Sequence, residues 1–151
     1  FDKSSFEKDS KEFLNLILLQ DKLLGTRREF RLGSWIEKAR RLGNTAEEKD
    51  LYEWNARVQI TTWGNRECAD AGKLRDYAHK EWNGILKDFY YKRWEAYWKT
   101  LQDQFDGKPE VIIDFYAMEE PWTLAKNEYS SKPEGDLINT AKEIFSEVFG
   151  K

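Results

Sequence analysis

No stretch of this chain alternates apolar and polar residues for long enough to build a strand; its large side chains recur at intervals of three and four. That spacing puts them on one side of a helix and restricts the fold to helices packed on helices. The class expected is all-α, an antiparallel bundle of about five to seven helices with mostly short connections. With 151 residues, three prolines and nine glycines, one hydrophobic core and a single domain over residues 1–151 are expected.

Ser4 to Glu7 reads as a capping box opening a helix over residues 5–24, with Phe6, Phe13, Ile17, Gln20 and Leu24 on its stripe. A second helix is expected over residues 28–42 on Leu32, Trp35, Ile36, Ala39 and Leu42, stopped by Gly43. Thr45 and Glu48 form another capping box, starting a helix over residues 46–63 that Gly64 ends in the left-handed conformation. On that helix Leu51, Trp54 and Val58 take one side and Tyr52, Ala56, Ile60 and Trp63 another. Glu53 and Arg57 are left toward water, and Asn55, Gln59 and Thr62 are trapped between the apolar sectors as a buried polar network.

After a polar loop over residues 65–73 the pattern is helical from Leu74, but its stripe rotates near Gly84, which fits two consecutive helices or one bent helix. Pro109 suits the first turn of a helix bearing Ile112, Phe115, Met118, Trp122, Ala125 and Tyr129, in which Pro121 either makes a kink or starts a new helix. Asp136 caps a final helix built on Leu137, Ile138, Ala141, Ile144, Phe145 and Val148.

The charge balance argues against polyanionic partners: 25 basic against 28 acidic residues give a net charge of -3, and the basic clusters near Arg28 and Arg40 are interleaved with acids. No nucleic-acid partner is expected. The longest apolar run, residues 13–19, is interrupted by Asn15 and is far short of the roughly 20 residues a membrane span needs. One cysteine, Cys68, and one histidine, His79, have no metal-ligand spacing around them, so no metal and no cofactor is expected. The chain opens on Phe1 and reads as a piece of a longer polypeptide.

What stands out is aromatic content: seven Trp, seven Tyr and nine Phe, with five of the Trp and five of the Tyr between Leu51 and Trp98, interleaved with polar groups. Such groups destabilise a core unless each finds a partner, so function is sought there first. Asn55, Gln59 and Thr62 either fix helix register or face a cleft together with Arg57 and Trp63. Arg93, between Tyr90 and Trp94, is placed to stack on a ring and offer its planar donor fork to a carboxylate or carbonyl. Rings such as Tyr52, Trp63, Tyr77, Trp82, Tyr90 and Trp94 beside Asn, Gln, Asp and Arg have the chemistry of a sugar platform, although core packing uses the same rings. The abundant carboxylates have no spacing that marks a general acid and base.

Three ordered segments give a more specific reading. Tyr52, Asn55, Arg57, Gln59, Thr61, Trp63 and Gly64 form the first, and Asp76, Tyr77, Ala78, Lys80, Gly84, Tyr90, Arg93 and Trp94 the second. Ser131, Pro133, Gly135, Asp136, Ala141, Lys142, Ile144 and Phe145 form the third. In this order they closely resemble the C-terminal all-helical domain of the alpha-N-acetylglucosaminidase family, glycoside hydrolases that include the lysosomal enzyme of heparan sulfate breakdown.

The resemblance implies a retaining exo-glycosidase that removes terminal alpha-linked N-acetylglucosamine with two glutamates on a barrel domain. Neither catalytic motif has a match here. The chain is therefore expected to be an accessory C-terminal fragment, without catalytic residues of its own, partnered by the catalytic barrel of the same polypeptide and by the glycan. The resemblance places Arg57, Trp63, Asp76, Tyr77 and Arg93 nearest the substrate cleft or the interdomain junction. Lys92 stands where animal members have proline, and the loop over residues 65–73 differs from theirs, which bears on rim geometry. A bacterial member with an exported, periplasmic or extracellular parent fits the sequence. The competing class is a noncatalytic helical carbohydrate-binding or protein-interaction module.

Overall fold

The computed structural model describes residues 2–150, and among them the architecture is an all-α bundle with one isolated bridge, Arg31 to Asn83, in place of any strand. Helix α1 (Lys3–Leu24) is followed by a tight turn at Arg28–Phe30 and by α2 (Leu32–Arg40) and α3 (Ala46–Gln59). Wide five-residue turns occur at Glu67–Ala71 and Leu86–Tyr90; the second feeds directly into α4 (Tyr91–Phe105). Helices α5 (Phe115–Leu124) and α6 (Leu137–Phe149) complete the chain. Ile17, Leu32, Ile36, Ile60, Ile85, Leu86, Phe89, Tyr90 and Trp122 form one buried cluster where these elements meet.

Local chemistry explains where several helices begin. The expected box at Thr45 is present: Thr45 accepts from the Glu48 N–H and the Glu48 carboxylate accepts from the Thr45 N–H. Asp136 caps α6 by accepting from the Asn139 N–H at 2.9 Å, as its sequence position indicated. At α1, however, the cap is Asp2, which accepts from Ser5, so the Ser4 to Glu7 box does not form. A carboxylate two residues earlier satisfies the free Ser5 N–H first.

Four helix boundaries differ from the periodic reading. The second helix begins at Leu32, because Phe30 and Leu32 exchange backbone bonds with Asn83 and the chain is extended there. The third ends at Gln59, and the left-handed residue that turns the chain is Trp63 (φ 65°), with Gly64 outside the positive-φ set. Residues 74–84 are turns and irregular chain, with Gly84 at φ 96°; of the apolar residues there, Trp82 packs on the Trp35 ring of α2 at 5.9 Å. Pro109 lies outside any helix: α5 starts behind Asp114, leaving Ile112 exposed, and Pro121 sits inside α5 without dividing it.

The wide turn at Leu86–Tyr90 is anchored by Asp21, buried on α1. Its carboxylate accepts from the Gly84 N–H at 2.6 Å, the Asn83 side-chain amide at 2.7 Å and the Lys87 N–H at 3.2 Å. These are the donors a helix start leaves free, satisfied here from a neighbouring helix. Burial nonetheless raises the Asp21 carboxyl above its ordinary 3.8, outweighing those bonds. Replacing Asp21 by Asn strands at least one N–H and should destabilise the fold by about 1–3 kcal/mol in urea unfolding. The sign of the pH effect follows from tighter proton binding in the native state. The stability gap between wild type and Asp21→Asn should be largest in acid, shrink as pH rises from 3.8 through the native pKa, and then stay constant. A gap that grows over that interval would contradict the assignment.

Candidate functional site

Two bulky residues share a backbone conformation that L side chains rarely adopt: Trp63 at φ 65° and Asp76 at φ 60°. They lie side by side, because the Asp76 N–H donates to the Thr61 carbonyl at 2.8 Å while the Trp63 N–H turns back to Val58 at 2.8 Å. The consequence is an aromatic corner. The Trp63 ring meets the Tyr77 ring edge-on at 5.0 Å, with Trp63 half-buried and Tyr77 72% exposed. Thr61 and Thr62 beneath are buried, Thr61 donating to the Arg57 carbonyl at 2.7 Å.

Strain of this kind, of order 1–3 kcal/mol per residue, persists only when its surroundings over-determine it. Here they do so through charge. Arg93 on α4 holds both Asp76 carboxylate oxygens, at 2.5 and 3.2 Å, and turns its Nε to Glu119 at 2.5 Å. Glu119, buried on α5, also accepts from Arg75, which pairs in turn with Asp70. The Arg93 guanidinium lies 5.0 Å from the Tyr90 ring centre and 5.2 Å from that of Phe89. Burial works against its charge, but the Asp76 and Glu119 carboxylates prevail and hold its pKa above the usual arginine value.

Tyr90 closes the network from below. Its hydroxyl donates to Asp76 at 3.1 Å and meets His79 Nδ1 at 2.8 Å. Burial, with the Asp76 carboxylate beside it, pushes the phenol well up from 10, so it remains a donor at all ordinary pH. Trp63, Asp76, Tyr77 and Arg93 are thus one assembly: a rigid ionic floor and an aromatic rim.

Arg57 belongs elsewhere. It is fully buried, donates to Glu53 at 2.7 and 3.0 Å and to the Asn127 carbonyl at 2.9 Å, and lies over the Trp122 and Tyr129 rings. Its Nη1 has no hydrogen-bond partner among the described residues. Glu53 passes the charge outward to Arg40 at 2.6 Å and so to Asp50.

This inverts the expected helical wheel. Glu53 and Arg57 point inward, Leu51 and Trp54 are left substantially exposed, and Asn55 and Gln59 are exposed too. The expected buried network of Asn55, Gln59 and Thr62 does not form; of the three only Thr62 is buried. The physical reason is that an acid and a guanidinium one turn apart neutralise each other and enter the core as a unit.

Glu119 was not anticipated from the sequence. The signal was a carboxylate inside the stripe of Phe115, Met118 and Trp122, where a solvated acid has no place. Arg31, also missed, is buried and donates to the Gly25 and Ser130 carbonyls and to Glu134, fastening the segment before α6. Among the described residues no group of three His, Cys, Asp or Glu side chains converges to hold a metal ion, and no helix is long and apolar enough to cross a membrane.

Comparison with known proteins gives a consistent picture. Residues 1–147 match the family model described as the alpha-N-acetylglucosaminidase (NAGLU) C-terminal domain. Human alpha-N-acetylglucosaminidase is 34% identical over 134 residues, which is 85% of this chain and 17% of that protein. The structure of a Clostridium perfringens family 89 glycoside hydrolase in complex with PUGNAc is 39% identical, with a TM-score of 0.89 over 98% of this chain and 18% of that one. A Clostridium perfringens enzyme in complex with its substrate GlcNAc-alpha-1,4-galactose is 38% identical, with a TM-score of 0.88 over 96% of this chain and 17% of that one. This chain therefore spans less than a fifth of the length of these relatives.

If Glu119 is the hub, Glu119→Ala should destabilise the fold by about 3–5 kcal/mol in urea unfolding, because Arg75 and Arg93 keep their charges without a shared acceptor. Glu119→Gln, which retains hydrogen-bonding shape, should lose less. Equal losses below about 1 kcal/mol for both variants would remove the hub role.

Proposed function

The chain belongs to the alpha-N-acetylglucosaminidase (NAGLU) C-terminal domain family, and from that membership we propose that it is the accessory helical domain of a retaining exo-alpha-N-acetylglucosaminidase. It packs on a catalytic barrel elsewhere in the same polypeptide and supplies part of the substrate-pocket wall. The observation that carries this reading is the Trp63–Tyr77 corner, held out on strained backbone by the Asp76–Arg93–Glu119 network.

A pyranose ring has one comparatively apolar face and a perimeter of hydroxyls. An aromatic corner suits the face, and its exposed position lets a neighbouring domain supply the polar partners. The ionic floor fixes the rim: a displacement of about 1 Å near reacting atoms can lower a rate about a hundredfold. The carboxylates fit this accessory role as well. Glu119 and Asp76 serve arginines, Glu53 serves Arg57 and Arg40, and Asp21 serves backbone N–H groups, so each buried or partly buried acid of these networks is committed as an acceptor. An acid/base pair comes from the barrel.

The test uses the full-length polypeptide and an aryl alpha-N-acetylglucosaminide. Trp63→Ala and Tyr77→Ala should each lower kcat/KM by about tenfold or more, corresponding to roughly 1.5 kcal/mol of lost apolar contact. Residues 1–151 alone should show no turnover. Wild-type kinetics in both variants would refute the pocket-wall role, and robust turnover by the isolated chain would refute the accessory one.

A further inference from the structure

Helix α4 bears Trp94, Tyr97, Trp98, Leu101 and Phe105 at helical spacing, yet none of its 15 residues is fully buried. An aromatic stripe of this kind normally faces a second packed layer. Helix α1 covers one flank only: Phe6 and Phe13 meet the Trp98 ring at 5.7 and 5.5 Å, Phe6 meets Phe105 at 4.9 Å, and Phe13 meets Trp94 at 4.9 Å. Between the two helices an apolar groove of about 740 Å³ remains, lined chiefly by Phe6, Phe13, Trp98, Leu101 and Phe105. The indole N–H of Trp98 is shut off from solvent and has no acceptor among the described residues.

We propose that this groove seats an apolar helix face from a part of the same polypeptide outside residues 1–151. The lining selects for such an occupant. Five of its nine lining residues are apolar, Asp9 is the one charged residue among them, and the flanking charges Lys3 with Asp106 and Lys99 with Asp103 are paired within the chain, so little is left to recruit a charged ligand. A packed segment removes the exposed rings from water.

The length of the relatives supplies the source. Nearly all of this chain superposes on structures of which it makes up only 17–18%, so the groove belongs to a much longer polypeptide. A tethered segment reaches the groove at an effective concentration in the millimolar range, which favours it over a second copy of the molecule. This seat is distinct from the sugar-facing corner: Arg93 and Phe105 are twelve residues apart on α4, about 18 Å along the helix axis. It goes beyond the pocket-wall reading and does not depend on the glycan.

Photo-cross-linking in the full-length polypeptide tests it. A benzophenone amino acid is placed at Gln104, an exposed residue on the groove wall, and in a second variant at exposed Ser5. Both positions tolerate a large side chain without invading the core. After irradiation of a mixture of isotopically light and heavy protein, peptide mass spectrometry should show same-isotope cross-links from the groove to a segment outside residues 1–151. Mixed-isotope cross-links would mean a second copy occupies the groove, and silence at both positions would mean nothing does; either result overturns the proposal. Because the readout is independent of turnover, its failure is distinguishable from failure of the pocket-wall role.

Discussion

A buried carboxylate shared by two arginines organises the region that the rest of the chain frames. Glu119 draws Arg75 from the loop and Arg93 from α4 onto α5, and Arg93 passes the constraint to Asp76. Each of these groups would destabilise the interior if unpaired, yet together they satisfy one another. The left-handed backbone at Asp76 follows from this, since a residue tethered through its carboxylate cannot relax into the extended region without breaking the pair, and the Asp76 N–H, bonded to the Thr61 carbonyl, holds the turn that leads to Trp63 beside it. The position of the Trp63–Tyr77 rim is therefore tied to one ionic cluster through Asp76.

The interior uses the same device at three more places. Glu53 with Arg57, Asp21 with the start of the Leu86–Tyr90 turn, and Arg31 with the carbonyls of Gly25 and Ser130 each replace apolar packing by a directional polar contact. Apolar side chains alone leave helix rotation and register loosely defined; forks and carboxylates admit one arrangement. For the proposed role of presenting a rim to a neighbouring domain, such definition matters more than maximal stability.

Helix class, the Thr45 and Asp136 caps and most core positions were legible because periodicity and capping are local properties. The grouping of Asp76, Tyr77 and Arg93 beside Trp63 was carried by the family resemblance, whose ordered segments contain all four. Solvent exposure on α3 was not legible. Charge at Glu53 and Arg57 suggests water, and only the tertiary arrangement, with Asn127, Trp122 and Tyr129 closing over the pair, reverses that sign. Likewise the apolar spacing over residues 74–85 resembles a helix, but Asn83 and Gly84 are committed to α1 and to the strand-like residues at Phe30 and Leu32. Long-range hydrogen bonds override local pattern at these points.

An ionic cluster that sets the aromatic rim must be energetically coupled to it. This coupling is tested most directly by a double-mutant cycle on kcat/KM of the full-length polypeptide, combining Glu119→Gln with Tyr77→Ala. Strong non-additivity is expected: once Tyr77 is absent, loosening the cluster should remove little further activity. Strictly additive losses would contradict it, because the cluster and the rim would then be acting independently.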